Sequence, residues 1–283
     1  MKFGTFIAKV QGEAIIADVR KAEETGFESV WIADHVILPV RQESAYPYSA
    51  GGCFPVPPDA PFLDPLMALA YAAAVTSKIR LATGIFVLPM RNAFATAKAV
   101  ATLDYLSQGR VIFGVGVGWL KEEFEALGTK FEDRALRTRE YLELMIELWS
   151  KSEPLYKGKT IQTEGMRFMP KTVQQPHPPI VFGGSTEPSL KRAARMGDGW
   201  YGIANTLDQA RAMIERLREH QRAQGRTRPL EITLSLRTGK PLTADDVRGL
   251  AEIGVDRALV GLPMKAMDAS ELERFRAEVM DKV

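Results

Sequence analysis

The sequence contains only one cysteine, Cys53, which excludes an intramolecular disulfide and a zinc site built from several cysteines. This scarcity is typical of a reducing compartment, and the apolar run at residues 3–7 is too short for a signal peptide. No run of about 18 apolar residues occurs, so we expect no membrane-spanning helix. We therefore expect a cytoplasmic protein that neither enters a membrane nor holds a metal ion.

An excess of charge of either sign is also missing. The 37 Lys and Arg residues nearly balance the 35 Asp and Glu residues, so the overall charge gives no reason to expect a nucleic-acid partner. The hydrophobic share of 46% and the charged share of 25% are typical of a globular protein and exclude general disorder. A length of 283 residues suits one α/β barrel, which needs roughly 250 residues. We expect a single domain over residues 1–283.

One pattern recurs along the chain: an Ala- and Glu-rich helix ends at a glycine, and a short β-branched or aromatic strand follows. The four clear glycines are Gly26, Gly109, Gly197 and Gly254. A glycine can end a helix in the left-handed conformation without steric penalty, so each pattern predicts a helix-to-strand turn. Completing the pattern predicts strands at 3–7, 29–33, 79–87, 111–115, 180–182, 199–202, 231–237 and 257–260. It predicts helices at 12–25, 64–77, 94–107, 136–151, 186–196, 207–223, 244–253 and 270–281.

Strict alternation of strands and helices predicts a parallel sheet with right-handed crossovers. Eight such units favour a closed (βα)8 TIM-type barrel, with an open doubly wound sheet as the alternative. Residues 34–63 follow the second strand, on the catalytic face of such a barrel, and are a candidate substrate lid. Residues 152–179 form a small insertion before strand five, suited to packing or subunit contact. Within it, residues 160–162 and 166–168 are predicted to pair as a hairpin.

An ionisable pair, Asp34 and His35, follows the second strand, where barrel enzymes keep their reactive groups. His35 suits general acid or base work, while Asp34 is positioned either to orient it or to contact a cofactor. The alternative is that His35 only caps its strand. The other two histidines, His177 and His220, are expected to be structural.

Glycines mark three further strand ends. Gly84 lies within strand three, where it indicates either a bulge near a ligand or relief of crowding. The alternating glycines of residues 114–119 either let backbone amides approach a flat or anionic ligand or serve packing alone. At residues 183–188, two glycines precede a helix whose N-cap is Ser185 or Thr186. A phosphate fits such a helix start, although a capped helix without a ligand is the alternative.

Taken together, these motifs resemble the luciferase-like monooxygenase family, in particular its branch that depends on the deazaflavin coenzyme F-420. The resemblance covers nearly the whole chain, and the order and spacing of the motifs carry it. The motifs are Gly26 to His35, Ala82 to Ile85, Gly114 to Trp119 with Glu122, Glu123 and Phe124, Pro178 to Gly184, and Gly197 to Trp200.

The resemblance implies which residues hold the cofactor. It implies a bulge with a non-proline cis peptide at Gly84-Ile85 that backs the flavin or deazaflavin ring, with Asp34 and His35 beside the ring. The remaining implied cofactor contacts are Val117, Gly118 and Trp119 at the ring or ribityl chain, and Gly183, Gly184 and Ser185 at the phosphate. Trp119 stands where a sugar-phosphate dehydrogenase branch has a catalytic glutamate, which argues against a sugar-phosphate substrate.

The implied function is hydride transfer between reduced coenzyme F-420 and a small organic substrate, with His35 supplying or removing the proton. The alternatives are an FMN-dependent two-component monooxygenase that needs a separate reductase, a flavin-binding protein without turnover, and a non-redox barrel that holds a phosphorylated ligand. The family resemblance also implies a homodimer. Arg237, at the end of strand seven, is expected to meet either an acidic group of the substrate or an outward salt bridge.

Overall fold

The computed structural model describes residues 1–8, 10–49, 51–262, 265 and 267–283. Its strands are β1 Lys2–Phe6, β2 Ser29–Ile32, β3 Arg80–Thr83, β4 Phe86–Val87, β5 Val111–Gly116, β6 Tyr156–Lys157, β7 Gln162–Thr163, β8 Ile180–Gly183, β9 Gly199–Ala204, β10 Glu231–Leu236 and β11 Arg257–Val260. Its α-helices are α1 Gly12–Thr25, α2 Pro65–Ala73, α3 Ala93–Leu106, α4 Lys121–Ala126, α5 Arg134–Ser150, α6 Glu187–Met196, α7 Leu207–Ala223, α8 Ala244–Glu252 and α9 Ala269–Glu278.

All the pairings within the main sheet are parallel, and the sheet closes on itself. β1 pairs with β2 on one side and with β11 on the other, and β3 pairs with β5 through Leu81 and Val111. β3 and β4 are two halves of the third barrel strand, which makes eight strand positions around the barrel. The predicted (βα)8 barrel is therefore confirmed, and the open sheet is excluded.

The strands contribute side chains to two apolar layers. Trp31, Ile112 and Tyr201 belong to the smaller cluster inside the barrel. Val30 and Phe113 belong to the larger cluster, which lies between the barrel and the helices. They are the sequence neighbours of Trp31 and Ile112. Because successive side chains of a strand point to opposite faces, both layers draw on the same short strands. This explains why the strands are hydrophobic runs without polar alternation.

All four predicted helix-to-strand turns are confirmed, and three have their glycine in the left-handed conformation. Gly26, Gly109 and Gly254 have φ values of 92°, 82° and 87°, the left-handed conformation. Gly197 also follows the end of a helix, but its conformation is extended, at φ −80° and ψ 153°, and not left-handed. A Cβ at Gly197 would stand 2.7 Å from the carbonyl oxygen of Gly199, so close backbone approach is what requires a glycine there.

The third strand is not continuous over 79–87, as the sequence predicted. It breaks after Thr83, the Gly84-Ile85 peptide is cis as the resemblance implied, and β4 resumes at Phe86. Helix α4, with six residues, was not predicted, because so short a helix shows little periodicity.

The predicted hairpin lies in the expected insertion but pairs differently. Tyr156–Lys157 pairs antiparallel with Gln162–Thr163, so the expected pairing of residues 160–162 with 166–168 is wrong. The backbone N–H groups of Lys159 and Thr160 donate to the Glu140 carboxylate of α5, which holds these residues in a turn. The hairpin borders a groove of about 620 Å³ beside Phe94 and Leu148, and none of the predicted site residues line it. Across the described ranges, no helix has both the length and the apolar character needed to cross a membrane.

Candidate active site

The bulge of the third strand and the glycines of its neighbours form one packed unit. A Cβ at Gly116 would stand 1.8 Å from Cδ1 of Ile85, and one at Gly183 would stand 2.7 Å from its Cγ2. A Cβ at Gly114 would stand 1.8 Å from the carbonyl oxygen of Thr83. Packing therefore accounts for Gly114 and Gly116. It is one of the two explanations that the sequence left open. The result is a wall at the carboxyl ends of the strands, with Ile85 at its centre.

Asp34 lies just beyond β2, and its carboxylate is fully engaged. The Arg91 guanidinium donates two hydrogen bonds to it, at 2.7 and 2.6 Å, and the backbone N–H of Val87 donates a third at 2.8 Å. Burial raises the pKa of Asp34, and the charge and hydrogen bonds of Arg91 oppose that rise. Asp34 thus ties the end of β2 to β4, directly beside the bulge.

His35 has a different carboxylate partner from the one that the sequence suggested. Its Nδ1 lies 2.9 Å from Oε2 of Glu123 in α4, rather than beside Asp34. Glu123 is buried, and its Oε1 accepts the backbone N–H groups of Val36 and Ile37 at 2.6 and 3.2 Å. These bonds fix the imidazole orientation through Nδ1, while no described residue forms a hydrogen bond with Nε2. Nε2 is therefore the atom of His35 that is open to a proton transfer.

Residues 34–63 fold over these strand ends, on the face predicted for a lid, with residue 50 outside the described residues. The Trp119 ring lies 5.1 Å from Tyr46 and 5.3 Å from Phe54 of this segment, and 6.1 Å from His35, between ring centroids. Phe54 also contacts His35 at 5.1 Å. Trp119 therefore belongs to an aromatic wall that joins the lid to the imidazole.

Glu122 fastens the lid from the same short helix. Its carboxylate accepts the backbone N–H groups of Glu43 and Ser44 and the Ser44 hydroxyl at 2.6, 2.9 and 2.5 Å. Burial acts to raise the pKa of Glu122, but the hydrogen bonds from Ser44 and Glu43 outweigh it and lower the pKa to about 2. The sequence motif contained Glu122 and Glu123 without assigning either a role. Acidic residues are common in the first turn of a helix, so the sequence alone gives no reason to expect that these two contact a lid. Only the fold reveals their partners.

The predicted phosphate end has the features of an anion cradle. Gly184 has φ 119°, and a Cβ there would stand 2.7 Å from the Ser189 hydroxyl oxygen. The Ser185 hydroxyl is buried without a hydrogen-bond partner among the described residues. Helix α6 begins just beyond, with Thr186 as its N-cap. A phosphate group would suit this place, because it combines a hydroxyl without a hydrogen-bond partner, a glycine and the start of a helix.

Two arginines lie near this cradle. Arg192 donates to the Ser189 hydroxyl at 3.4 Å, and Arg134 donates from Nε to the Gly118 carbonyl at 3.3 Å. Burial lowers the pKa of Arg192, and the neighbouring charge of Arg134 lowers it further. Neither arginine forms an ion pair within the part of the chain that the structure describes. The cradle is therefore flanked by two positive charges, of which Arg134 has the carboxylate of Glu132 nearby and Arg192 does not.

The other histidines lie outside this site. His177 contacts the Pro178 carbonyl at 2.9 Å, and His220 contacts Glu187 at 2.8 Å on the helical surface. Among the described residues, no three His, Cys, Asp or Glu side chains are grouped so that they could hold a metal ion.

Comparison with known proteins places this geometry in a family. The model of the luciferase-like monooxygenase family matches residues 1–278. An uncharacterised protein of Mycobacterium tuberculosis is 35% identical over 267 residues, covering 93% of each chain. The F-420-dependent glucose-6-phosphate dehydrogenase of Kineococcus radiotolerans is 32% identical over 226 residues, 76% of this chain and 61% of that one. The FMNH2-dependent dimethylsulfone monooxygenase of Pseudomonas putida is 29% identical over 155 residues, 54% of this chain and 42% of that one.

A solved structure agrees with the fold. The coenzyme F-420-dependent tetrahydromethanopterin reductase of Methanopyrus kandleri superposes with a TM-score of 0.78 at 19% identity, covering 99% of this chain and 98% of that chain. The chain belongs to the luciferase-like monooxygenase family.

Proposed function

We propose that the protein is an oxidoreductase that transfers a hydride between reduced coenzyme F-420 and a small organic substrate. The observation that carries this proposal is the imidazole of His35, held by Glu123 at the carboxyl ends of the barrel strands and close to the aromatic lid. A positioned imidazole suits proton transfer to or from a reacting group. The luciferase-like family and the F-420-dependent relative support the redox assignment.

Each part of the site has a role in this proposal. The bound deazaflavin would supply the hydride chemistry, and the protein would supply orientation and exclusion of water. Ile85 backs the ring, and the Asp34–Arg91 pair keeps the bulge in place beneath it. Gly183, Gly184 and Ser185 hold the phosphate, while Val117, Gly118 and Trp119 border the ring and the ribityl chain. Nε2 of His35 supplies or accepts the proton that accompanies the hydride.

The two arginines beside the cradle favour the deazaflavin over FMN. FMN ends at its monophosphate, whereas coenzyme F-420 continues beyond its phosphate into a chain with further carboxylates. Arg134 and Arg192 offer charge for those additional groups. Guanidinium groups suit carboxylates and phosphates because they donate several hydrogen bonds in one plane.

Cofactor binding gives the first test. The protein is titrated with coenzyme F-420, FMN and reduced FMN while tryptophan fluorescence is recorded, and we expect the tightest binding for coenzyme F-420. Tight binding of reduced FMN alone would favour the alternative, a monooxygenase that depends on a separate reductase. Binding without turnover would favour a flavin-binding protein.

Turnover gives the second test, with reduced coenzyme F-420 as donor and a panel of enones and enoic acids as acceptors. His35→Ala should lower kcat by about a hundredfold or more, because a general acid or base contributes that much. Its dissociation constant for coenzyme F-420 should stay unchanged. His220→Ala, which removes a surface imidazole, is the matched control. Equal turnover of His35→Ala and the parent protein would contradict the role of His35.

A further inference from the structure

Arg237 has no acidic partner among the described residues, although it follows β10 at the face of the barrel that carries the site. Its backbone N–H donates to the Ala204 carbonyl at 2.7 Å, which fixes the start of the side chain. Its Nε is buried and has no hydrogen-bond partner among the described residues. No ion pair of the described chain includes Arg237, so the outward salt bridge that the sequence left open is absent there.

Other arginines with buried or half-buried side chains show what usually compensates such a charge. Arg257 is bonded to Glu28 and Glu231, and Arg91 is bonded to Asp34. A charge that is shielded from water without a counter-ion is unfavourable. An unpaired guanidinium beside a reactive site is therefore the arrangement expected of a group whose counter-ion arrives with a ligand.

The neighbours of Arg237 are phenol hydroxyls. The hydroxyls of Tyr46 and Tyr201 lie close enough to Arg237 for the guanidinium to lower their pKa values. The Tyr201 hydroxyl also lies 3.1 Å from the Ser235 hydroxyl, inside the barrel. Burial raises the pKa of both tyrosines, which keeps them neutral and able to donate a hydrogen bond to an anion. Guanidinium and neutral phenols together make a binding site for a carboxylate.

This group is connected to His35 by direct ring contacts. Tyr46 packs against Trp119 at 5.1 Å, and Trp119 packs against His35 at 6.1 Å. Tyr46 also contacts Phe54 at 4.9 Å, and Phe54 contacts His35. The space between the cation and the imidazole is thus bordered by aromatic rings, which suit an apolar or planar body.

We propose that Arg237, with the hydroxyls of Tyr46 and Tyr201, binds a carboxylate on the substrate and orients its apolar part along the aromatic wall toward His35. This inference rests on the proposed function and names its substrate class, an unsaturated or hydroxylated organic acid. In this proposal Arg237 is a substrate-binding residue, whereas Gly184 belongs to the cofactor cradle.

The test compares a carboxylate with its neutral amide. Cinnamate and cinnamamide are titrated by calorimetry into the protein loaded with coenzyme F-420. We expect cinnamate to bind at least about tenfold more tightly than cinnamamide, since a hydrogen-bonded ion pair contributes that much. Arg237→Gln should abolish the preference without changing cinnamamide binding, and Arg237→Lys should restore part of it. Arg222→Gln removes the same charge from the exposed face of α7 and should change neither affinity.

The outcomes separate this inference from the proposed function. An unchanged dissociation constant for coenzyme F-420 in Arg237→Gln shows that the variant is folded and that the cofactor site is intact. Equal affinity for the two probes, binding of neither, or an unaltered preference in Arg237→Gln would overturn the inference while leaving hydride transfer in place. If the protein binds no coenzyme F-420, the proposed function fails, and the same titration of the cofactor-free protein still decides whether Arg237 selects a carboxylate.

Discussion

Cδ1 of Ile85 occupies the space that a side chain on Gly116 would need, since a Cβ there would stand only 1.8 Å away. Gly116→Ala should therefore displace Ile85 and the bulge that it anchors. We expect the free energy of unfolding to fall by about 1–3 kcal/mol, the usual effect of overpacking. Affinity for the cofactor should fall as well. Urea unfolding and the cofactor titration measure the two effects.

Two further variants serve as controls for Gly116→Ala. Gly51→Ala adds a methyl group where, apart from its chain neighbours, no heavy atom of the described residues lies within 4 Å, so it should change neither quantity. In the double variant Gly116→Ala with Ile85→Ala, the clash is removed, and stability should be close to that of Ile85→Ala alone. If the losses of unfolding free energy in the two single variants simply added in the double variant, the packing explanation would be contradicted.

The bulge also shows how far the sequence leads. The alternation of strands and helices predicted the barrel because each strand and helix carries its own local pattern. The glycines at 114 and 116 were visible, but their partner was not, since the contact with the third strand at residues 83–85 forms only when the two strands pair in the barrel. Asp34 and His35 were located correctly at the strand end. Their partners Arg91 and Glu123 lie 57 and 88 residues away, and only the closed barrel brings them together.

Glu123 is expected to act as a positioning residue for His35. Glu123→Gln keeps the shape of the side chain but replaces the carboxylate that holds Nδ1. We expect kcat to fall about tenfold with little change in KM or in cofactor affinity, since the ring loses its charged partner but the pocket persists. Steady-state kinetics with the acceptor found above checks this.

A double-mutant cycle distinguishes positioning from a general structural effect. When His35 is already alanine, Glu123→Gln should lower kcat no further, because its effect passes through the imidazole. Glu125→Gln, on the exposed side of the same short helix, is the matched control. If Glu123→Gln lowered kcat by the same factor in the presence and in the absence of His35, this role would be contradicted.

The Glu122 carboxylate makes attachment of the lid dependent on pH. Its pKa falls from an ordinary 4.5 to about 2 when it accepts the bonds from residues 43 and 44. A carboxyl with a lowered pKa stabilises the attached state when ionised, so the contribution is complete above about pH 5 and is lost as the pH falls toward 2. We expect tryptophan fluorescence, through Trp119 against the lid, to change in this window before the circular dichroism of the barrel does. Glu122→Gln should show the released signal already at pH 7, and a variant that keeps the parent's signal there would contradict the attachment.

The two arginines at the cradle predict which cofactor the protein prefers and why. Arg192→Gln and Arg134→Gln each remove a positive charge beside the cradle. Each should weaken coenzyme F-420 binding by about tenfold or more, and FMN binding by less, because FMN lacks the carboxylates beyond the phosphate. Dissociation constants from fluorescence titration, repeated at increasing salt, measure both effects, and the salt dependence should be steeper for coenzyme F-420.

Arg195→Gln is the control for these variants, since Arg195 is exposed on the last turn of the same helix α6. It changes the net charge equally without altering the cradle, so both cofactors should bind as they do to the parent protein. Equal weakening of FMN and coenzyme F-420 by Arg192→Gln would mean that the guanidinium contacts only the phosphate that both share. The preference for a deazaflavin would then lose its physical basis at this end of the site, even if Ser185 and Gly184 still hold a phosphate.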